Sequence, residues 1–475
     1  MLLEKAYKRT IKEQMKVFVP IFVSLLGFSL IALGDNTMVS WLEEEDAYKH
    51  ALSATVLVNR TCSIPLFFCI GFSHIVTIFT ISAKVKQNYY KATEGLKSAL
   101  LLCGGLGIII GLSFAYCPSL LIYCKITQDA ELFALCKQYT PFLALSIIPA
   151  IFSECIRKYL QGLGWLKTNM VLIIVGGLLN LCLNYIFMYG KFGLPAMKIR
   201  GLALATLISR LIVFLVYLYL IHLAKKQGHC TLSASSLLQL DHKILKRVLI
   251  LGLPIGLGLM LRQAYLRLAL MVLIGRIDKT ALEAITRMIV VLAPLRMLPI
   301  ANGIASSMLI SKAWKKRDKR QQHIIGVVGY TSIFIIASTL CVVFYFCLPY
   351  LDTVLPDPQG AAHLSIATKF IGILSLTFLL ESLSFQGENL LNGIKDSFFP
   401  FIMGIIYYWG VGFFLSYLLS HYWQYGTYGV FTGFIVSLIA INITFLKRFF
   451  QQIKTPSQPA RLRTTINAAV NTKVA

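Results

Sequence analysis

The sequence predicts an all-α polytopic membrane protein, with about twelve transmembrane helices in two six-helix lobes related by a pseudo-two-fold axis along the membrane normal. Three observations lead there. Hydrophobic residues make up 57% of the 475-residue chain against 14% charged, and the mean hydropathy is +0.72, which leaves too little polar surface for a soluble protein of this size. Apolar runs of about 18 or more residues recur along the chain, whereas a β-barrel would show short alternating segments. The net charge of +25 is gathered in alternate loops, for example Lys84 to Lys97, Lys225 to Arg247, Lys312 to Arg320 and Lys447 to Lys454. The loops between them are acidic or weakly charged, as at Glu43 to Asp46, Asp129 with Glu131, and Asp352 with Asp357. This is the positive-inside pattern of a multi-pass membrane protein with both termini cytoplasmic and an even number of spans. It assigns the basic charge to the membrane face and leaves no role for nucleic acid.

The expected spans are 17–42, 51–83, 96–117, 133–157, 169–190, 201–224, 248–275, 284–311, 324–350, 365–391, 398–420 and 428–450. They divide the chain into an N-terminal lobe with its linker at 1–240, a C-terminal lobe at 241–453 and a flexible cytoplasmic tail at 454–475. The first apolar run is too long for a cleavable signal and no small-residue site follows it. The eleven cysteines are scattered singly and read as small core residues.

The first span, Val17 to Trp41, carries Pro20 near one end and Asp35 toward the other. A carboxylate within a membrane helix costs on the order of 3 kcal/mol, so Asp35 should face a cavity, a partner or an ion path. The alternative is a helix-end cap, since helical rise places Asp35 roughly 28 Å from Lys16, near the far edge of the hydrocarbon.

The second span carries Pro65, the seventh Pro254 and the eighth Pro299. Pro20 with Pro254, and Pro65 with Pro299, both lie 234 positions apart, which indicates an internal duplication. An even number of helices per copy gives the copies one orientation and leaves a cavity between two lobes. His74 in the second span reads as a bond to a neighbouring helix rather than a titrating group. Glu154 with Arg157 and Lys158 reads as a local ion pair at helical spacing.

The fifth and sixth spans, LNLCLNYIFMYGKFGLPAMKIRGLALATLISR from Leu179 to Arg210, resemble the most recognisable segment of the MATE (multidrug and toxic compound extrusion) transporters, through Asn180, Asn184, Gly190, Gly193, Pro195, Gly201, Ala205, Thr206 and Ser209. GDNTMV in the first span, LQGLGWLKTN around Gly162, GLPIG in the seventh span and NGIKDSFFP before Tyr408 and Trp409 are similar to further family segments, so the resemblance runs from about residue 10 to 450. It implies an inner- or plasma-membrane antiporter that exports organic compounds in exchange for H+ or Na+ by alternating access, with a small-molecule substrate, a coupling ion and the bilayer as partners, acting as a monomer without a cofactor. It places ion coupling at Asp35, Asn180 and Asn184, and at Glu381 where the family has an aspartate, while the Thr206 hydroxyl is a further hard oxygen ligand for sodium. Two departures stand out. Asn184 occupies a position that is often an aspartate, and Arg262 one where some members carry a glutamate.

Glu381 and Glu388 in the tenth span are seven residues apart and share a face. Arg262 and Arg296, with Arg60, Arg210, Arg267 and Arg287, lie too deep for every one to snorkel. One reading pairs them with carboxylates, such as Arg262 or Arg296 with Glu381; Glu388 has Lys395 as another candidate partner. The other lines the substrate cavity with Arg262, Arg296 and Glu388 for anionic substrates. A lipid-linked saccharide flippase of the same superfamily is the second functional reading. No phosphate-binding glycine loop, metal-ligand cluster or nucleophile elbow occurs, so no enzyme activity is expected.

Overall fold

The computed structural model describes residues 2–40, 42, 50–116, 130–232, 240–265, 270–278, 280–282, 284–285, 288, 294–347 and 360–454. The tail from 455 and the acidic segments at 43–46, 129 and 352–357 lie outside them, as do Arg267, Arg287 and the Arg60 side chain. Most of the described residues are helical, with no strand among them. In chain order the helices are α1 Leu2–Ser40, α2 Ala51–Val85, α3 Tyr89–Tyr116, α4 Ala130–Leu163, α5 Leu166–Tyr189, α6 Lys198–Lys226, α7 His242–Ala264, the short α8 Leu270–Ile277, α9 Met297–Lys316, α10 Lys319–Cys347, α11 Gly360–Gly393, α12 Phe398–Tyr422 and α13 Gly426–Lys454.

Eleven of these are long and apolar enough to cross a bilayer. The exception among the long helices is α9, which corresponds to the expected eighth span. It starts at Met297 rather than 284, and Pro299 sits in its first turn instead of mid-helix. There its missing N–H leaves no intrahelical bond unmade. The first helix also begins earlier than its apolar run, because Glu4–Lys8 and Arg9–Glu13 ion pairs, at 2.7 and 3.1 Å, decorate a solvated extension. In α12, Ile405–Gly412 and Leu418–Tyr422 are π-helical.

Two large apolar cores form, one from α2 to α7 and one built from Tyr265 to Ile453. The halves exchange their first helices: α1 packs on α9, and α7 packs on α2. These pairs are equivalent under the 234-residue offset that relates Pro20 to Pro254. Gln14 Nε2 donates to Asn302 Oδ1 at 2.6 Å across the first pair. At the second, ideal Cβ positions on Gly71 and Gly256 would lie 2.8 Å from the carbonyl oxygens of Ile255 and Phe68. Near the pseudo-axis, His74 Nε2 meets Ser307 Oγ at 3.2 Å and Gln161 Nε2 donates to Met308 Sδ at 3.5 Å. These contacts form a seam on the side of the bundle that carries the basic loops.

Gly71→Ala should force α2 from α7 and lower stability by about 1–3 kcal/mol. Gly105→Ala is the control, since nothing lies within 4 Å of its added Cβ. Thermal unfolding in detergent reads both, and equal midpoints would contradict the close approach.

Candidate functional site

The α5–α6 hairpin is built by glycine. Gly190 ends α5 with φ 65°, and a Cβ there would lie 2.6 Å from the Ala196 nitrogen; a Cβ on Gly201 would lie 2.6 Å from the Phe187 carbonyl. The hairpin therefore folds tightly and sets Asn180 and Asn184 of α5 against Ser209 and Thr206 of α6. On the other side of α5, Gly34 and Gly177 admit Leu181 and Ile31, bringing α1 alongside.

That approach joins Asp35 to Asn184, whose Nδ2 donates to Asp35 Oδ1 at 2.5 Å. Asn184 is 0% exposed, and its Oδ1 has no hydrogen-bond partner among the described residues. Asn180 Nδ2 donates to Ser209 Oγ at 3.2 Å, and the Ser209 hydroxyl donates to the Thr206 carbonyl at 3.0 Å. The Thr206 hydroxyl is turned to its own helix, donating to Leu202 O at 3.0 Å. The structure thus brings Asp35 and Asn184 into direct contact and places Asn180 one turn away.

Two neighbours of Asp35, Arg210 and Tyr139, were not assigned to this site by sequence reasoning. Arg210 is within electrostatic reach of Asp35 and donates to Ser146 Oγ at 2.8 Å. The Tyr139 hydroxyl, also within reach of Asp35, donates to Asn59 Oδ1 at 3.4 Å. Arg210 directly follows Ser209, so its membrane position was visible, but the partners on α2 and α4 depend on helix rotation.

In the C-terminal half, both α11 carboxylates have arginine partners. Glu381 accepts from Arg296, the residue that precedes α9. Glu388 accepts from Arg262 at 3.0 Å, and the Arg262 guanidinium lies 4.5 Å from the centre of the Phe385 ring. Arg262 is only 5% exposed. Glu388, Arg262 and Tyr408 border a water-sized cavity against Phe401 and Ile405, where α12 is π-helical. Tyr408 and Ser384 share a hydroxyl contact of 3.2 Å, and Trp409 Nε1 donates to Leu261 O at 3.2 Å. Lys395 does not pair with Glu388. Its ammonium lies over Phe79, 5.2 Å from the ring centre. The carboxylates therefore differ: Asp35 holds a neutral amide, while Glu381 and Glu388 each hold a guanidinium.

A profile of the MatE family matches the chain twice, at residues 20–186 and 254–418, and the two matches begin at the equivalent prolines Pro20 and Pro254. Curated relatives include a "Probable multidrug resistance protein NorM" of Synechocystis, 26% identical over 92% of this chain and 94% of its own. A protein of the same name from Oceanobacillus iheyensis is 24% identical over 92% of this chain and 97% of its own. Among solved structures, an outward-facing multidrug resistance MATE family transporter superposes with a TM-score of 0.82 at 16% identity, covering 95% of this chain and 97% of its own. A MOP superfamily transporter from Pyrococcus furiosus, described as having a binding pocket of reverse polarity, superposes with a TM-score of 0.80 at 17% identity, covering 94% and 96%.

Because the Arg262–Glu388 pair is buried, Arg262→Met should cost about 3–5 kcal/mol by leaving a carboxylate without its counter-ion, and Arg262→Met with Glu388→Met should recover most of that loss. Unfolding midpoints of the two variants test this, and a double variant no more stable than the single one would contradict the pairing.

Proposed function

The chain belongs to the MatE family, and from that premise we propose that it exports organic compounds in exchange for H+ or Na+, with Asp35 as the exchange site. As a multi-pass membrane transporter of small molecules it has the two-lobe fold that alternating access requires. The observation that carries the coupling assignment is the unequal neutralisation of its membrane carboxylates. Asp35 has an amide as its hydrogen-bond partner, so a proton or a sodium ion can still supply the missing positive charge. Asn184, with Asn180 one turn along α5, offers further amide oxygen, and Thr206 lies on the facing helix. Hard oxygen groups of this kind suit either ion.

Glu381 and Glu388 already have counter-ions tethered to the chain. An incoming cation would have to displace Arg296 or Arg262, which a salt bridge at low exposure resists. The same pairs bear on substrate charge. An organic anion would compete with Glu381 and Glu388 for the guanidiniums, so organic cations and neutral amphiphiles are the favoured cargo of this chain. Names of the relatives, as probable multidrug resistance proteins, support a broad organic specificity.

In the cycle we propose, the seam through Gln14–Asn302, Gly71–Gly256 and His74–Ser307 closes the basic, cytoplasmic side while Asp35 lies toward the opposite side. A cation taken up at Asp35 weakens its attraction to Arg210 and the retention of substrate, and the lobes then rock to open the seam. Both termini are cytoplasmic in this orientation, and the chain acts as a monomer in the inner (plasma) membrane.

Reconstituted liposomes with H+ and Na+ gradients imposed separately test the reading. One gradient should drive accumulation of a lipophilic cation, and Asp35→Asn should abolish that accumulation while leaving a correctly folded protein. Undiminished accumulation by Asp35→Asn would overturn the assignment of Asp35, and organic anions moving as fast as cations would overturn the substrate class.

A further inference from the structure

The basic side of the bundle holds a second concentration of charge, away from the site just described. The α2–α3 connection brings Lys86 from the loop and Lys91 from the first turn of α3, α7 brings Arg247, the α9–α10 junction brings Lys315 and Arg317, and the α11–α12 loop brings Lys395. Lys315 is within electrostatic reach of Lys86, Lys91, Arg247 and Arg317, and Lys395 of Arg247 and Lys315. These groups come from both halves of the chain and lie at the basic-side ends of helices that pack together, α2 and α3 on α7, α2 on α9, and α9 on α11.

Several backbone features fix the arrangement. Lys395 takes φ 70° and Arg317 φ 58°, the left-handed conformation that non-glycine residues rarely adopt. The Lys395 ammonium stacks on Phe79 of α2, and the adjoining Ser397 hydroxyl donates to Leu251 O of α7 at 2.9 Å. The α11–α12 loop is thereby held across α2 and α7. Lys395 is only half-buried, yet its burial, with Arg247 and Lys315 beside it, pushes its ammonium down to about 7.

Carboxylates in the adjoining segments are committed elsewhere. Glu94 pairs with Lys97 at 2.6 Å and accepts from the Asp241 nitrogen at 3.2 Å. Asp241 caps α7, accepting from Lys243 and Ile244 nitrogens. Asp318 accepts from the Gln321 nitrogen at 2.9 Å, and Asp396 pairs with Arg448 at 2.8 Å. The positive-inside tendency explains why this side is basic. It does not require six cations from four segments to converge on one seam, with one of them desolvated against its like charges.

We propose that this seam is a binding site for a phosphate-bearing anion, held between Lys86 and Lys91 of the N-terminal half and the C-terminal groups Arg247, Lys315, Arg317 and Lys395. Ammonium and guanidinium donors match phosphate oxygens in charge and hydrogen bonding. A dianion there draws together cations that otherwise repel, and because they belong to both halves it favours the state in which the seam is closed. The site is therefore a control point on lobe movement that is independent of which ion Asp35 exchanges.

The test uses the full chain in phosphatidylcholine nanodiscs, in one arm titrated with inorganic pyrophosphate and in the other prepared with phosphatidic acid replacing part of the lipid. Thermal midpoint and lobe separation, the latter from a spin-label pair across the seam, are read in each. A saturable rise in midpoint with a closed seam is expected in at least one arm. Response to pyrophosphate assigns a soluble phosphate compound, and response only to phosphatidic acid assigns a lipid headgroup. Lys315→Gln and Lys395→Gln should each weaken the response about tenfold, with the exposed Lys86→Gln serving where Lys395→Gln does not fold. The pair Lys225→Gln and Lys226→Gln, on the same side but outside the cluster, should leave it unchanged. No response in either arm, or an equal loss in the Lys225/Lys226 variant, would overturn the proposal.

Discussion

Asp35 depends on one amide. A charged carboxylate inside a bilayer is tolerable only where another group offsets its lost hydration, and the Asn184 hydrogen bond at 2.5 Å is the contact the chain supplies. That bond requires α1 and α5 to touch, which the missing side chains of Gly34 and Gly177 permit. It also requires the α5–α6 hairpin to close through Gly190 and Gly201, so that α6 can bring Arg210 near the same carboxylate. Asp35 is thus held by close helix approach and a neutral amide, with no salt bridge of its own among the described residues.

The C-terminal half solves the same problem differently. Where the resemblance to other MATE proteins implies an acidic residue, this chain has Arg262, and the structure pairs it with Glu388 while Arg296 pairs with Glu381. The duplication therefore supplies two lobes of common architecture with unlike electrostatics at these positions: Asp35 has an amide as its hydrogen-bond partner with Arg210 within electrostatic reach, whereas Glu381 and Glu388 form salt bridges. Between them the exchanged packing of α1 on α9 and of α7 on α2 forms a single seam, so movement of either lobe must be accommodated at residues such as Gln14, Gly71, His74 and Ser307.

Much of the architecture was legible because its causes are local. Apolar length, basic loops and the 234-residue proline offset each speak for membrane helices and duplication without knowledge of packing, and the family profile begins again at the second proline. The pairing of Arg296 with Glu381 was among the combinations that charge burial allows. Choosing between it and Arg262–Glu381 needs the rotation of α9 and α7 about their axes, which no residue pattern records. The same holds for Tyr139 and Ser146, whose helix meets Arg210 only through tertiary packing. Pro299 illustrates the reverse case: its equivalence to Pro65 is plain in sequence, yet α9 starts beside it while α2 runs through Pro65.

The proposal that Asp35 is the single exchange site is tested most directly by the dependence of substrate affinity on cation concentration in the purified protein. Competition at one carboxylate predicts that log Kd rises with the log of the coupling cation's concentration with a slope of about one. Asp35→Asn should flatten that slope, while the paired change Arg296→Gln with Glu381→Gln should preserve it. A slope of about two in the unaltered chain, or one that survives Asp35→Asn, would contradict the account.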